Sequence, residues 1–322
     1  MLLVKVPLRI SFFGGGSDIP SYYEKYDGLC VSTTINSFMY LAVHECTANH
    51  IKVAYSQMEL VNDICDLKHS RVRETLKYYE KLSNIEIASF SDFTVKGTGL
   101  GSSSSFTVGL IQAINYIKYK SYLNPKQLAE LASYIEIKRC MEPIGKQDQY
   151  AAAYGGLNAF RFTWDNVYVS PVNVDSNDKL ALESRLLFYN TGESRDAADV
   201  LSKQVADNKT GTNIDTIKTM VSMAEESLKL LRKHKISDFG KLLHESWLLK
   251  KSLSPNMSSN RIDEMYDTAI RHGALGGKLL GAGNGGFLMI FVSRSNRQKV
   301  IDAMRIYERR DFRFYSSGSE IV

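Results

Sequence analysis

The stretch Gly97-Thr98-Gly99-Leu100-Gly101-Ser102-Ser103-Ser104-Ser105 constrains this chain more than any other. Three alternating glycines run into four serines, and Phe106, Leu110, Ala113, Ile114 and Ile117 follow at helical spacing. That spacing predicts an amphipathic helix whose first turn is built from the serines. The leading N–H groups of a helix lack partners within it, and the helix dipole adds partial positive charge at the same end. Glycines just ahead let the backbone approach a ligand closely, and hydroxyls donate to oxygens or ligate a hard metal ion. The natural occupant is a polyphosphate with its magnesium. A flexible Gly/Ser linker has similar composition, but this stretch is short, contains Leu100 and leads straight into a helix. No G-x-x-x-x-G-K-[ST] pattern occurs, so a nucleotide here must be held by another architecture than a Walker loop.

With 322 residues, 44% hydrophobic and 23% charged, the chain has the length and composition of an ordinary globular enzyme with two sizeable cores. Its net charge of +5 suits an anionic small molecule. No Lys/Arg cluster interleaved with aromatics argues for nucleic acid. Residues 1–13 are apolar but interrupted by Lys5, Pro7 and Arg9, a strand pattern and not a signal peptide. No run is long enough to span a membrane, so a cytoplasmic location is expected. Cys30, Cys46, Cys65 and Cys140 show no C-x-x-C spacing, which predicts reduced, mostly buried thiols. The six histidines show no metal-ligand spacing, and zinc is not expected.

The first half alternates short strands and helices. Strand patterns cover 2–10, 29–36, 38–45 and 51–56, and helical periodicity covers 70–82 and 126–140 as well as the serine helix. A short helix starts near Lys146, and a strand pair follows at 156–162 and 167–172. The polar segment 175–179 reads as a linker or long turn. The second half is more helical, with amphipathic helices at 214–234, 239–253 and 261–271 and an apolar strand at 287–292. The division predicted is two α+β domains, 1–176 and 177–322, with ligands in a cleft between them.

Three further segments can carry chemistry. In the first, a strand containing Arg9 ends in Gly14-Gly15-Gly16-Ser17-Asp18. Adjacent glycines clear space for a close approach, and Asp18 can accept from sugar hydroxyls or cap the helix that starts near Pro20. The second is Gly145-Lys146-Gln147-Asp148-Gln149-Tyr150. Asp148 heads a helix, which favours its ionised form; it either stabilises that helix or orients and deprotonates a substrate hydroxyl. Glu136 on the preceding helix is a surface acid or a magnesium ligand. The third, Gly281-Ala282-Gly283-Asn284-Gly285-Gly286, satisfies G-x-G-x-x-G. A strand follows it instead of a helix, which excludes dinucleotide binding and leaves a brace for the cleft or the phosphate loop.

In this order, the three glycine motifs resemble those of the GHMP kinase superfamily, over nearly the whole chain. The resemblance implies a two-domain α+β fold, with an N-terminal domain of the ribosomal-S5 type and a C-terminal ferredoxin-like domain, and ATP and Mg2+ as cofactors. It implies that Gly97, Gly99, Leu100, Gly101, Ser102, Ser103, Ser104 and Ser105 wrap the ATP phosphates. Ser103 matches the magnesium-ligating serine, and Glu136 stands near the second ligand, its spacing to Asp148 offset by about one residue from the mevalonate-type pattern. Asp148 matches the catalytic aspartate, Arg9 the arginine that balances charge near the transferred phosphoryl group, and Asp18 the sugar-binding aspartate. Where galactokinases carry a Gly-Glu-His-Thr-Asp run, Gly14, Gly15, Gly16 and Ser17 open the sugar end of the pocket.

The form P-L-R-I-S-F-F-G-G-G-S-D, with G-K-Q-D-Q-Y and Gly276-Gly277-Lys278, is similar to that of the D-glycero-D-manno-heptose 7-phosphate kinases. That implies a sugar phosphate acceptor phosphorylated at its anomeric hydroxyl, in nucleotide-activated heptose synthesis for surface polysaccharide. An L-fucose- or galactose-type kinase and a non-catalytic sensor on the same fold are the rival readings. Lys146, Arg195 and Lys278 are candidate anchors for the acceptor's phosphate, and Gly283 joins them on the substrate side. No nucleic-acid or membrane partner is implied, and a homodimer is allowed.

Overall fold

The computed structural model describes residues 1–80, 82, 84–93, 97–193, 197–254, 257–283 and 285–322. The chain begins with strand β1 (Leu2–Phe13), helix α1 (Pro20–Tyr23) and the long strand β2 (Gly28–Glu45). Strands β3 (Ile51–Ala54) and β4 (Met58–Val61), helix α2 (Ser70–Tyr79), strand β5 (Ile85–Ser91) and helix α3 (Ser102–Tyr119) follow. Next come α4 (Pro125–Ser133), a π-helical continuation Tyr134–Arg139, α5 (Gln147–Tyr154), and the hairpin β6 (Leu157–Phe162) with β7 (Val167–Pro171). The remainder comprises α6 (Ser176–Glu183), β8 (Leu186–Asn190), α7 (Ala197–Thr210), α8 (Ile214–Arg232), α9 (Ile236–Ser252) and α10 (Asn260–Arg271). It closes with β9 (Ala274–Leu279), β10 (Phe287–Val292), α11 (Arg297–Ala303), β11 (Arg309–Arg310), β12 (Phe314–Tyr315) and β13 (Glu320–Ile321).

Strand β2 organises the first sheet. The runs expected at 29–36 and 38–45 form one strand, antiparallel to β1 along its length. Pro7, which cannot donate to the ladder, sits at a register shift where Leu8 pairs Ile35 and Pro7 pairs Phe38. The first half of β2 then pairs β6, and the second half pairs β5. A second, antiparallel sheet has the order β11-β8-β10-β9.

From Val6 onward every residue of β1 is buried, because the strand is covered on both faces. Leu8, Ile10 and Phe12 join a core shared with Phe239, Leu243 and Phe291 of the second half. Arg9 and Ser11 alternate to the other face, towards α3 and α5. The two halves are therefore welded across β1. The expected boundary at 176/177 falls between the sheets, yet β12 and β13 return to pair with β2 and β1.

Two local expectations are corrected. Residues 176–183 form a helix and not a linker, because the Asp175 side chain caps it by accepting from the Asp178 N–H. Of the four free cysteines only Cys30 is buried; Cys65 is exposed and the other two are intermediate. Among the described residues no helix is long and apolar enough to cross a membrane.

Candidate active site

Helix α3 supplies the phosphate end of the site. Gly101 occupies its N-cap position with φ of 75°, and no side chain caps this end among the described residues. Its first intrahelical bond runs from the Ser105 N–H to the Gly101 carbonyl at 3.0 Å. The N–H groups of the three preceding serines therefore point out of the helix end, where an anion finds them. The loop before it is pinned on two sides. Leu100 accepts from the Arg9 N–H at 2.9 Å, and Thr98 accepts from the Phe287 N–H at 3.1 Å. The Ser105 hydroxyl donates to the Pro7 carbonyl at 3.1 Å, tying the first turn of α3 to β1.

Asp148 lies directly beneath this opening. Arg9 grips it with two parallel bonds, Nε to Oδ1 and Nη2 to Oδ2, both 2.7 Å, while Nη1 donates to the Gly99 carbonyl at 2.6 Å. One guanidinium thus fastens the aspartate to the phosphate loop in a planar fork that Lys cannot reproduce. A Cβ added at Gly101 would stand 3.2 Å from Asp148 Oδ2 and 3.3 Å from Arg9 Cγ, so the carboxylate and the helix mouth are in contact range. The Arg9 side chain is 6% exposed and that of Asp148 26%, so the carboxylate reaches solvent and its partner does not.

Asp18 is buried on the other side of α5. Its Oδ1 accepts from the Gly16 N–H at 2.9 Å and its Oδ2 from the Gln147 N–H at 3.1 Å. It therefore caps α5, the helix that carries Asp148, and not the helix at Pro20, whose N-cap is Ile19. Burial pushes the Asp18 carboxyl up, and the Asp148 charge adds to this, against the lowering effect of the two N–H donors. Gly145 is obligatory for this contact, since a Cβ there would lie 1.9 Å from Asp18 Oδ2. Gly14 turns with φ of 81° against the Leu29 carbonyl, 1.7 Å from where a Cβ would be, and Gly16 packs on Gln204. The Ser17 hydroxyl donates to the Gly14 carbonyl at 2.7 Å, which closes the turn, and Gly15 is partly open.

Glu136 does not stand free for a metal. Its Oε1 accepts from the Thr107 hydroxyl at 2.6 Å and lies 3.0 Å from Arg71 Nε; its Oε2 accepts from the Ser104 hydroxyl at 2.9 Å and from Gln149 Nε2. Both oxygens are filled from within the protein, and the side chain is fully buried. The expected ligand role is thus not matched by this arrangement; the carboxylate clamps α3 to α5 from behind, through Ser104 and not Ser103. The π-helical turn that carries Glu136 holds one more residue than an α turn, and the one-residue offset in its spacing to Asp148 is of that size. Ser103 itself is exposed at the helix mouth and offers a hard hydroxyl oxygen.

The cationic residues separate. The Lys146 ammonium lies 4.7 Å from the Tyr23 ring centroid, in the field of Glu130 and Glu24, which does not suit an anchor beside Asp148. Lys278 is buried and donates to the Phe12 carbonyl at 3.0 Å, at the start of the Gly14–Gly16 turn. Arg195 lies outside the described residues, as does Asn284. Lys250, which no sequence signal marked, is buried on α9 and donates to the Gly281 carbonyl at 2.6 Å. Burial lowers Lys250 to about 8, with the Arg9 charge adding and Asp18 opposing, and burial and Lys250 together drive Lys278 well below its ordinary range. Its only sequence hint is a lysine at an inward position of an amphipathic helix.

The third glycine segment braces the phosphate loop, backbone against backbone. A Cβ on Gly281 would lie 2.5 Å from Gly99 Cα, and one on Gly286 2.5 Å from the Thr98 carbonyl oxygen. Gly283 packs on Met257 Sδ instead of turning towards Asp18.

This geometry is that of a phosphoryl-transfer site: an anion-binding helix mouth, an adjacent carboxylate and an arginine joining them. The family model for GHMP kinase N-terminal domains matches residues 58–156, and that for GHMP kinase C-terminal domains matches residues 227–309. The chain belongs to the GHMP kinase family and is an ATP-dependent kinase. It is 29% identical to a D-glycero-alpha-D-manno-heptose 7-phosphate kinase of Campylobacter jejuni, over 98% of this chain and 96% of that one. A galactokinase of Thermotoga neapolitana is 25% identical over 99% and 97% of the two chains. Among solved structures, a D-glycero-D-manno-heptose 1-phosphate kinase from Bacteroides thetaiotaomicron superposes with a TM-score of 0.81 at 26% identity. That superposition covers 100% of this chain and 99% of the other.

Proposed function

We propose that this kinase transfers the γ-phosphoryl group of ATP to the anomeric hydroxyl of D-glycero-D-manno-heptose 7-phosphate, giving the 1,7-bisphosphate. The step belongs to nucleotide-activated heptose synthesis for surface polysaccharide. The coarser activity, phosphorylation of a carbohydrate, is supported by the heptose-phosphate kinases and galactokinases to which the chain is similar. The observation that carries the chemistry is the Asp148 carboxylate, forked by Arg9, at the mouth of α3.

In this reading the ATP phosphates lie along the backbone of residues 97–105. Ser103 is the protein oxygen offered to magnesium, an ion that commonly takes one or two protein ligands together with phosphate oxygens. When bound, the ion neutralises charge shared by the β- and γ-phosphates. Asp148 accepts a hydrogen bond from the attacking hydroxyl and takes its proton as the new O–P bond forms and ADP departs. Arg9 holds that carboxylate in line with the loop and balances the charge beside it. Asp18 fixes the start of α5 by accepting from the Gln147 N–H, and in this reading a sugar hydroxyl is a further donor to its carboxylate.

An anionic acceptor is supported by charge. Asp148 is held by Arg9, and among the described residues neither Lys250 nor Lys278 is ion-paired with a carboxylate. Lys250, which carries its charge below about pH 8, is then a buried cation without a carboxylate partner, and a second phosphate on the acceptor supplies a counter-ion.

The test is magnesium-dependent ADP release on manno-heptose 7-phosphate, unphosphorylated manno-heptose, galactose and fucose. Turnover confined to the 7-phosphate supports the proposal. A neutral sugar as the better substrate overturns the acceptor while leaving the kinase chemistry, and no turnover on any of the four overturns it altogether.

A further inference from the structure

At the far end of β2, His44, Cys46 and His50 gather around one carboxylate, that of Glu86. Glu86 lies on β5, flanked by its register partners His44 on β2 and Lys52 on β3. Side chains opposite one another in a ladder share a face of the sheet. His50 Nε2 is 3.2 Å from Glu86 Oε1, and His44 Nε2 is 3.6 Å from Oε2. Cys46 Sγ lies 4.0 Å from His50 Nε2, and one ligand atom from each of Cys46, His50 and Glu86 falls within 4.8 Å of the others. The loop bearing Cys46 and His50 is pinned at both ends to the start of β5. The Cys46 N–H donates to the Asn84 carbonyl at 3.0 Å, and the His50 carbonyl accepts from the Ile85 N–H at 3.2 Å.

One ring nitrogen of His44 is left to act as a ligand. His44 Nδ1 lies 2.9 Å from the Glu45 carbonyl, which can only accept, so Nδ1 carries the proton. In the neutral ring Nε2 then directs a lone pair at the Glu86 carboxylate, two acceptors facing one another. Donation of the other ring N–H to a backbone carbonyl is also the usual way a metal-bound imidazole is oriented.

We propose that Cys46, His50 and Glu86, with His44 in reach as the fourth donor, form a binding site for a zinc-class divalent ion. A tetrahedral zinc with bonds of about 2.0–2.3 Å separates its ligand atoms by roughly 3.3–3.6 Å. The 3.2 Å between His50 and Glu86 Oε1 is close to that spacing and the 4.0 Å between Cys46 and His50 needs only a small movement of the thiol, whereas His44 faces the other oxygen, Oε2, at 3.6 Å and must turn to complete the set. A thiolate and imidazoles favour zinc or cobalt over magnesium or calcium. The competitor is the Lys52 ammonium, 3.6 Å from Glu86 Oε2. It is 40% exposed on a flexible stem and swings into solvent when the ion enters. The sequence alone shows only Cys-x3-His, half a site; strand pairing brings Glu86 from 36 residues beyond His50.

Titration of the tag-free, reduced protein with Co2+ tests this. One Co2+ per chain should give a thiolate-to-cobalt charge-transfer band with tetrahedral visible bands, both bleached by one equivalent of Zn2+. Cys46→Ser should abolish the charge-transfer band. His50→Ala and Glu86→Gln should each weaken Co2+ binding by more than about tenfold, the lower end of what losing even an outer partner costs. Kinase turnover should be unchanged in all three variants. Absence of the band at micromolar protein overturns the proposal, as does a band that survives Cys46→Ser, which assigns it to the exposed Cys65.

Discussion

Residues 97–101 and 281–286 are both rich in glycine, and both adopt positive φ at most of those glycines. In the first loop the backbone N–H groups lead into the uncapped mouth of α3. At the end of the second they turn inward: the Gly286 N–H bonds to the Glu193 carbonyl, and the neighbouring Phe287 N–H to Thr98. The second loop also meets the first so closely that no Cβ fits between Gly281 and Gly99. Glycine content therefore marks both a ligand cradle and a backbone-to-backbone contact. What distinguishes them is where the N–H groups go and which element follows, a helix after one and a strand after the other.

The largest effect belongs to the carboxylate beside the first loop. Asp148→Asn is expected to lower kcat by about 10²–10⁴-fold, the range of a lost general base, with ATP binding by calorimetry nearly unchanged. Wild-type turnover in this variant would remove Asp148 from the chemistry. Behind the same loop, Glu136→Gln should destabilise the fold by about 1–3 kcal/mol in urea unfolding, because its buried donors lose an ionised acceptor while Arg71 keeps Glu142. Its magnesium requirement should stay that of the wild type. An increased requirement with normal stability would restore Glu136 as a metal ligand.

The second loop answers differently if it only braces. Gly281→Ala should cost about 1–3 kcal/mol by overpacking and raise KM for ATP while sparing KM for the acceptor. A selective rise in acceptor KM would make this loop part of the acceptor site. Ser103→Ala, on an exposed side chain, should raise the magnesium needed for half-maximal turnover by about tenfold, one charge-assisted contact, with thermal stability unchanged.

Lys250, bonded to Gly281, sharpens the contrast through pH. It carries its charge below about pH 8, so kcat/KM for the phosphorylated acceptor should fall several-fold as pH rises through that value. Lys250→Met should flatten that limb; a limb that persists overturns the assignment. Stability runs the opposite way. Between about pH 8 and the ordinary 10.5 the unfolded chain holds the extra proton, so this group adds stability as pH rises.

Short-range sequence pattern is enough for the local pieces of this protein. A run of serines before apolar residues at helical spacing makes a helix mouth, and Asp148 in a first turn after Gly145 follows from the same short-range rules. The order of the motifs was enough to identify the family. Short-range rules also misled, as at 175–179, where a polar run is the capped start of a helix. Which charges meet is settled by the packing of distant segments. That packing set Arg9 on Asp148 across 139 residues, filled Glu136 from four side chains, buried Lys250 beside Gly281, and gathered His44, Cys46, His50 and Glu86 at one strand end. Turns and caps are settled by a few neighbouring residues. The partner and ionisation of a buried charge depend on strand register and on which helices exclude water from it, and both are properties of the packed molecule.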